Sequence, residues 1–298
     1  MQIGRYPAAH TTIAHLSDTH LLAGGAPLGG AADTVAALDR AVNQLDRLGT
    51  ALDAIVVTGD IADLGEPDAY RLARAALDPL AERAGAELVW VMGNHDEREP
   101  FAAELLDLPP SLEPLHRVVE LGGVRLVSFD VSVPGWHHGA VDEERADWLS
   151  AVLAEPTPKG TVLAVHHAPI PTPIALMDVL ELQGQARLAE VLRGSDVRLI
   201  LGGHLHYPSA GSFAGIPVSI AGATAYTLDV SAPPRELQGV DGGRSFSLVQ
   251  LFDDGHLVSV APLGPNTVIS RFDEGFLDEL SALDPPARLE RFSRKRTE

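Results

Sequence analysis

Short apolar runs alternate with segments of helical periodicity over the first two thirds of the chain. Residues 34–48 show the helical spacing, with apolar side chains on one face at Leu38, Val42, Leu45 and Leu48. The same spacing predicts further helices over 66–84, 143–154 and 184–193. The apolar runs predict strands in the stretches TTIAHLSDTH, DAIVVTGD, ELVWVMGNHD, VRLVSFDV, TVLAVHH and VRLILGGHLH. This alternation predicts an α/β fold with a largely parallel sheet and helices packed outside it.

The pattern changes after residue 215. The stretches IPVSIAGATAY, SFSLVQLF and HLVSVAPL predict strands separated by turn-rich loops, without a helix between them. These strands are interpreted as antiparallel β-structure that completes the same domain. We therefore expect a single domain over residues 1–298.

The composition limits the kinds of reactive and metal-binding sites that the chain can form. The chain has 45% hydrophobic residues, enough for a core, and no cysteine, which excludes disulfides, thiolate metal sites and cysteine nucleophiles. The start MQIGRYPAAH lacks an apolar leader, and no run reaches the roughly 18–20 apolar residues of a membrane span. We therefore expect a cytoplasmic protein.

Charge argues against a nucleic-acid partner. The net charge is −19, whereas proteins that track long nucleic acids neutralise phosphates with lysine and arginine. A small anionic substrate remains compatible, because bound cations can reverse the local field. The one basic cluster is interpreted as a solvated chain end and not as an anchor: Arg288, Arg291, Arg294, Lys295 and Arg296.

Polar side chains gather where the predicted strands end. In chain order these clusters are Asp18 and His20, Gly59-Asp60, Gly93-Asn94-His95-Asp96, His166-His167, and His204 with His206. In an open α/β sheet the carboxyl ends of the strands share one crevice, where ligands bind. Residues almost 190 positions apart are thus expected to meet in one site.

Oxygen and nitrogen donors of this kind suit Fe, Mn, Zn or Ni. Seven ligand-type side chains are too many for one ion and suit two, and a carboxylate can bridge ions about 3.5–4 Å apart. The glycines of these motifs are expected to let the backbone turn next to a crowded centre: Gly59, Gly93, Gly202 and Gly203.

These motifs, in this order, resemble the signature of calcineurin-like metallophosphoesterases. The stretches SDTHL, TGDIADLGEPDAY, ELVWVMGNHD, SVPGWHHG, GGHLHY and GIPVSIAGATAYTLD are similar to those of class III cyclic-nucleotide phosphodiesterases. The similarity spans about residues 12–265, which we take as the core, with a carboxyl-terminal extension over 266–298. The resemblance implies a β-sandwich of two mixed sheets flanked by helices, in four αββα layers, and a homodimer.

The resemblance also implies roles for individual residues. One metal is expected on Asp18, His20, Asp60 and His206, and a second on Asp60, Asn94, His166 and His204. Asp60 is then the bridge, and His95 lies near the leaving group without binding metal. Fe and Mn are the expected ions, with Zn, Ni or Co as alternatives.

The expected reaction is hydrolysis of 3′,5′-cyclic nucleotides, cAMP to AMP, by in-line attack of a hydroxide that bridges the metals. His95 is expected to protonate the leaving oxygen. Related protein phosphatases carry an arginine in GDxVDRG, whereas this chain reads GDIADLG, so a diester is preferred to a monoester. A broad phosphodiesterase for glycerophosphodiesters or 2′,3′-cyclic nucleotides is the alternative, and a non-catalytic scaffold is disfavoured because no ligand is lost.

Other histidines have weaker assignments. Strand alternation is expected to point His167 away from its neighbour's ligand side. Surface or satisfied core positions are expected for His10, His15, His116 and His256. The sequence leaves open whether His137 or His138 reaches the pocket mouth, and whether Trp136 stacks on a base or packs.

Overall fold

The computed structural model describes residue 4, residues 6–264 and residues 267–295. The strands are β1 (Thr11–Leu16), β2 (Ala54–Thr58), β3 (Glu87–Val91), β4 (Arg117–Leu121), β5 (Val124–Ser128), β6 (Gly139–Ala140), β7 (Thr161–Ala164), β8 (Leu182–Gln183), β9 (Val197–Gly202), β10 (Ser209–Phe213), β11 (Ile216–Ile220), β12 (Thr227–Leu228), β13 (Gly239–Val240), β14 (Ser245–Phe252) and β15 (Gly255–Pro262). The α-helices are α1 (Thr34–Asp46), α2 (Pro67–Ala84), α3 (Arg98–Leu105), α4 (Glu143–Leu153), α5 (Gln185–Leu192), α6 (Glu274–Ala282) and α7 (Pro285–Arg288).

The four helices predicted from periodicity are present as α1, α2, α4 and α5. Helix α1 begins at Thr34 because the Asp33 carboxylate accepts the Ala36 amide hydrogen at 2.9 Å, and α2 ends where Gly85 takes a φ of +65°. Helix α3 was not predicted, since its 8 residues span little more than two turns and give no clear periodicity.

The strands form two large mixed sheets. The first has the order β15-β14-β1-β2-β3, with parallel pairing from β1 to β3 and antiparallel pairing at β14 and β15. The second has the order β10-β11-β9-β7-β5-β4, with parallel pairing from β5 through β7 and β9 to β11. The predicted late strands β14 and β15 do complete the first sheet, whereas β11 joins the second in parallel with β9.

Alternation along each strand explains the layering. Ile13 and Val56 of the first sheet pack in one cluster with Leu126 and Leu199 of the second, between the two sheets. Their neighbours on the opposite face pack on helices α1, α2 and α3 for the first sheet and on α4 and α5 for the second. Strands buried on both faces read as continuous apolar runs. The four-layer αββα arrangement implied by the resemblance is confirmed.

Contacts between Cα atoms divide the chain into two compact units. Residues 9–264 form the larger one, which contains both sheets, and residues 1–8 with 265–298 form the smaller. In the smaller unit the Phe276 ring lies 4.7 Å from Phe272 and 5.0 Å from Phe292. Residues 1–3 and 5 of the amino-terminal stretch, and Arg296 of the basic cluster, lie outside the described residues. That all 298 residues act as one domain stays a prediction.

Among the described residues no helix combines the length and apolarity needed to cross a membrane.

Candidate metal centre

The polar clusters at the strand ends converge in the larger unit. Asp18 and His20 follow β1, Asp60 follows β2, and His206 follows β9, and their ligand atoms all lie within 4.8 Å of one another. The set is buried, with the Asp18 side chain fully so. The structure therefore brings together four residues that the sequence separates by up to 188 positions (206 − 18).

The cluster continues through Asp60 to the remaining candidates. Asp60 Oδ2 lies 3.6 Å from His20 Nε2 and 3.2 Å from His166 Nε2. Asn94 Oδ1 lies 3.1 Å from the same His166 nitrogen. The His204 ring centroid is 5.1 Å from that of His166. Asp60 thus occupies the place between the two groups of candidate ligands.

The histidine rings are held so that Nε2 faces inward. His166 Nδ1 donates to the Thr58 carbonyl at 2.6 Å, and His206 Nδ1 donates to the Tyr226 carbonyl at 3.1 Å. His20 Nδ1 lies 2.9 Å from Asp63 Oδ1 and donates to it. Carbonyl and carboxylate oxygens only accept hydrogen bonds, so each Nδ1 carries a hydrogen. In the neutral ring, Nε2 then presents a lone pair.

The Nε2 atoms lie next to other hydrogen-bond acceptors, and this arrangement indicates whether the residues suit a bound metal. His20 Nε2 and His206 Nε2 are 3.1 Å apart, and His166 Nε2 faces the oxygens of Asp60 and Asn94. Buried His204 Nε2 has no hydrogen-bond partner among the described residues. Such a concentration of acceptors repels itself unless positive charge lies among them. The donor set therefore fits bound cations, and its nitrogen and oxygen atoms suit transition ions.

In the metal-free site, protons supply part of this positive charge. Burial would lower the pKa of His166 and that of His20, but the neighbouring Asp60 carboxylate raises the pKa of His166 to about 9, and nearby carboxylates also raise the pKa of His20. Metal binding at these rings would therefore displace protons.

Burial lowers the pKa of His206 to about 4 and that of His204 well below its ordinary value, so both rings are neutral at pH 7, the form that binds metal. Burial would raise the pKa of Asp60, but the neighbouring His166, His20 and His95 outweigh it and lower this pKa well below its ordinary value. Asp60 is thus a carboxylate.

The backbone is strained at the same positions. Five of the seven candidate ligands have positive φ although none is glycine: Asp18 (52°), His20 (42°), Asp60 (50°), His204 (68°) and His206 (61°). Side chains with a Cβ seldom adopt this region, and such strain concentrates at functional sites. The tight turns aim successive side chains into one small volume.

Glycines allow the loops to approach. Gly59 has a φ of +89°, and a Cβ there would lie 2.5 Å from His166 Nδ1. A Cβ on Gly203 would lie 2.0 Å from Ser17 Oγ. Gly93 and Gly202 lack positive φ, so at these positions and at Gly203 the requirement is close approach and not the expected sharp turn.

Asp96 connects two loops of the site through hydrogen bonds to their backbone. Its carboxylate accepts the backbone hydrogens of Ile61, Ala62 and Gly93 at 2.9–3.3 Å, which ties the loop after β2 to the loop after β3. Burial and the nearby Asp60 charge raise the pKa of Asp96 to about 6.

His95 lies at the rim. Its ring Nδ1 donates to the Asp63 carbonyl at 2.8 Å, its backbone N–H donates to Asp60 Oδ1 at 2.9 Å, and its side chain is 30% exposed. The Nδ1 bond leaves Nε2 as the nitrogen that can exchange a proton with a ligand in the site. A half-buried ring nitrogen at the rim is accessible for proton exchange.

Sequence reasoning missed two residues of this site. The Asp63 carboxylate orients His20, and the Tyr226 carbonyl orients His206, whose ring lies 4.3 Å from the tyrosine ring. Asp63 comes three residues after Asp60, and a second carboxylate so close to a predicted ligand was a signal that could have identified it. Tyr226 acts mainly through its backbone, which leaves no trace in the sequence.

The remaining histidines divide into core and rim. His15 is fully buried against Thr58, and the His116 ring stacks against both Phe129 and Trp148. His167 Nε2 donates to the His137 carbonyl at 3.0 Å, although the ring also lies 4.3 Å from that of His204. Of the two loop histidines, His137 reaches the cluster, with Nδ1 3.0 Å from Asn94 Nδ2. Trp136 is 62% exposed and its ring lies 5.5 Å from that of His138, so it lies outside the core.

Comparison with known proteins identifies the family that the chain resembles. The family model described as calcineurin-like phosphoesterase matches residues 11–208. The chain is 47% identical over 264 residues to a cAMP/cGMP dual specificity phosphodiesterase of Mycobacterium tuberculosis, a match that covers 89% of this chain and 83% of that protein. It is 33% identical over 199 residues to a glycerophosphodiester phosphodiesterase of Enterobacter lignolyticus, with 65% of this chain and 70% of the relative covered.

Among solved structures, a dimetal phosphatase from Danio rerio superposes with a TM-score of 0.59 at 16% sequence identity. The match covers 86% of this chain and 96% of that one. At this identity the likeness concerns the fold alone.

Proposed function

Because the chain belongs to the calcineurin-like phosphoesterase family, we propose that it is a metal-dependent phosphodiesterase that hydrolyses 3′,5′-cyclic nucleotides, cAMP to AMP. The observation that carries this proposal is the buried set of inward-facing nitrogen and carboxylate ligands around Asp60. The choice of substrate is supported by the mycobacterial relative, a cAMP/cGMP phosphodiesterase that shares 47% of aligned residues.

The structure supports a division of the ligands between two ions. Asp18, His20, Asp60 and His206 would hold one, and Asp60, Asn94, His166 and His204 the other, with Asp60 shared. The first set matches a cluster whose ligand atoms lie within 4.8 Å of one another. Asp60 Oδ2 supports the shared role because it faces a nitrogen of each set. When bound, two such ions supply a nucleophile from water at neutral pH and neutralise the phosphoryl oxygens.

The chain's own groups handle the leaving oxygen. His95 would give the proton on Nε2 to the ribose 3′ oxygen as the P–O3′ bond breaks, which yields a 5′-monophosphate. The Asp63 carbonyl holds the other ring nitrogen and so keeps Nε2 directed into the site. Asp96 keeps the two loops together while substrate binds and leaves.

The placement of Arg98 supports a diester over a monoester. A monoester dianion needs an additional cationic group, and Arg98 is the arginine nearest in sequence to the GNHD motif. Its guanidinium is buried and bonded to Asp130 at 3.2 Å and to the carbonyls of Leu112 and Ser132 at 2.6 and 3.1 Å. Arg98 is therefore committed to the fold and does not reach a substrate phosphate.

A second candidate is a broader phosphodiesterase acting on glycerophosphodiesters or 2′,3′-cyclic nucleotides. The relative from Enterobacter lignolyticus, a glycerophosphodiester phosphodiesterase, supports it at 33% identity. A non-catalytic scaffold lacks support, because all the ligand-type residues are present and converge.

The test is a substrate panel on protein of measured metal content. We expect kcat/KM to be highest for 3′,5′-cyclic AMP or GMP, lower for glycerophosphodiesters and 2′,3′-cyclic nucleotides, and lowest for AMP. A higher value for AMP than for every diester would overturn the proposal, and a maximum at a glycerophosphodiester would favour the second candidate. Fe and Mn as the resident ions, a homodimer and a cytoplasmic location stay predictions.

A further inference from the structure

The loop SVPGWHHG, residues 132–139, places one of its two histidines on a candidate ligand. His137 Nδ1 lies 3.0 Å from Asn94 Nδ2, and its ring centroid is 5.1 Å from that of His95. The neighbouring His138 packs instead against Trp136, with the ring centroids 5.5 Å apart. The two adjacent histidines therefore have different surroundings, and only His137 contacts the candidate ligands directly within the described residues.

The bond to His137 decides which end of the Asn94 amide faces inward. An amide has an oxygen that accepts and an NH₂ group that only donates, so the partner of Nδ2 must be a lone pair. His137 Nδ1 is thus unprotonated in this pair. With its NH₂ directed to the loop, Asn94 turns its oxygen toward His166 Nε2, at 3.1 Å. The oxygen is the atom of an amide that binds a cation.

The backbone of the loop is anchored by bonds that do not involve the His137 side chain. The His137 carbonyl accepts from His167 Nε2 at 3.0 Å, and Ala140 N–H donates to Val131 at 2.7 Å. Gly139 lies so close to His167 that a Cβ there would be 2.7 Å from His167 Nδ1. A change of the His137 side chain therefore tests the ring nitrogen and leaves the course of the loop to these contacts.

We propose that His137 is a positioning residue that holds the Asn94 amide with its oxygen toward the second cation. Its contribution concerns the affinity of that ion, since no contact joins His137 to Asp18, His20 or His206 within the described residues. Without the acceptor at Nδ1 the amide rotates, and part of the time presents NH₂ where a ligand oxygen is needed. This inference rests on the proposed two-ion function.

Three single variants separate the ring nitrogen from the rest of the loop. His137→Ala removes the acceptor. His137→Asn restores it, because asparagine Oδ1 stands near the position of histidine Nδ1 and accepts from an NH₂ group. His138→Ala removes the adjacent ring, which does not contact Asn94, and is the matched control. Circular dichroism of each chelated protein checks that the fold is retained.

Metal binding is the readout, measured with buffered Mn²⁺ by calorimetry and by elemental analysis after gel filtration. The unsubstituted protein is titrated first. We expect it to bind two ions, and we expect His137→Ala to bind the tighter ion unchanged and the other about 10- to 100-fold more weakly, the usual effect of removing a group that orients a ligand. His137→Asn should recover most of the lost affinity, and His138→Ala should bind as the unsubstituted protein does.

Two results would overturn the inference while the two-ion proposal stands. One is unchanged affinity for both ions in His137→Ala. The other is an equal loss in His137→Ala and His137→Asn, which would mean that the ring acts otherwise than by accepting from Asn94. Fewer than two ions on the unsubstituted protein would instead end the two-ion proposal, and this inference with it.

Discussion

The Nε2 atoms of His20 and His206 lie 3.1 Å apart, although each ring has its Nδ1 hydrogen bonded to another oxygen. Two buried lone pairs at this distance repel each other unless a proton or a cation lies between them. Without metal, a proton on His20 fills this gap, in agreement with the pKa of this ring, which burial would lower but nearby carboxylates raise. A bound ion would take the place of the proton and hold the surrounding acceptors together, and this links metal content to stability.

Removal of the metals is expected to destabilise the fold. A ligand that binds only the native state at 100 times its Kd adds about 2.7 kcal/mol, and for a chain of this size each kcal/mol moves Tm by roughly 2–4 °C. We therefore expect a chelator to lower Tm by about 5–10 °C, measured by calorimetry, and Mn²⁺ to restore it. An unchanged Tm after complete removal of metal, verified by elemental analysis, would contradict this link.

Asp60→Ala should affect both ions, because Asp60 Oδ2 faces His20 on one side and His166 on the other. We expect elemental analysis to find no ion, or one weakly held. The matched control is Asp39→Ala, which removes an exposed carboxylate on helix α1 and should leave metal content unchanged. Two full equivalents in Asp60→Ala would rule out the shared role.

His95→Ala should distinguish substrates by their leaving groups. A ribose alkoxide is strongly basic and needs a proton, whereas a nitrophenolate leaves as an anion. We expect kcat to fall about 10²–10⁴-fold for cyclic AMP, the usual contribution of a positioned acid, and much less for bis(4-nitrophenyl) phosphate. Metal content should remain at two ions. Equal losses on the two substrates would mean that His95 positions the phosphate or the nucleophile instead.

Stability should also depend on pH through His116, away from the metal centre. Its ring lies 4.8 Å from Phe129 and 4.4 Å from Trp148, and its Nδ1 accepts from Asp130 N–H at 3.0 Å. Burial lowers its pKa from 6.5 to about 4, with charges from Asp130, Arg145, Arg98 and Asp142 around it. The neutral ring is therefore favoured in the folded state. Its contribution to the free energy of unfolding is complete above pH 6.5 and is lost as the pH falls toward 4.

The test compares the unsubstituted protein with His116→Asn, which keeps an acceptor for Asp130 N–H but does not titrate. Between pH 8 and pH 5 the free energy of unfolding, measured in urea, should decrease less in the variant, by about 1–2 kcal/mol. Metal loss at low pH affects both proteins, so the difference isolates His116. Identical decreases in the two proteins would show that His116 titrates normally.

The sequence by itself determined the class of fold and the candidate ligands. Apolar runs buried on both faces and helices with one apolar face specify strands and helices locally, so the helices at Thr34, Pro67, Glu143 and Gln185 were predicted. The ligands were found because metal chemistry needs particular side chains, and these follow strands whose carboxyl ends meet. The short helix α3 lacked such a local signal.

Tertiary structure decided how the strands are divided between two sheets and what surrounds each ligand. Local periodicity does not record which strands pair, and so does not place β11 beside β9 and β14 beside β1. The groups that orient the ligands are in part backbone atoms, such as the carbonyls of Thr58, Tyr226 and Asp63, which every residue possesses. His137 and His138 are adjacent and identical in the sequence, and only the packing of their loop directs the first to Asn94.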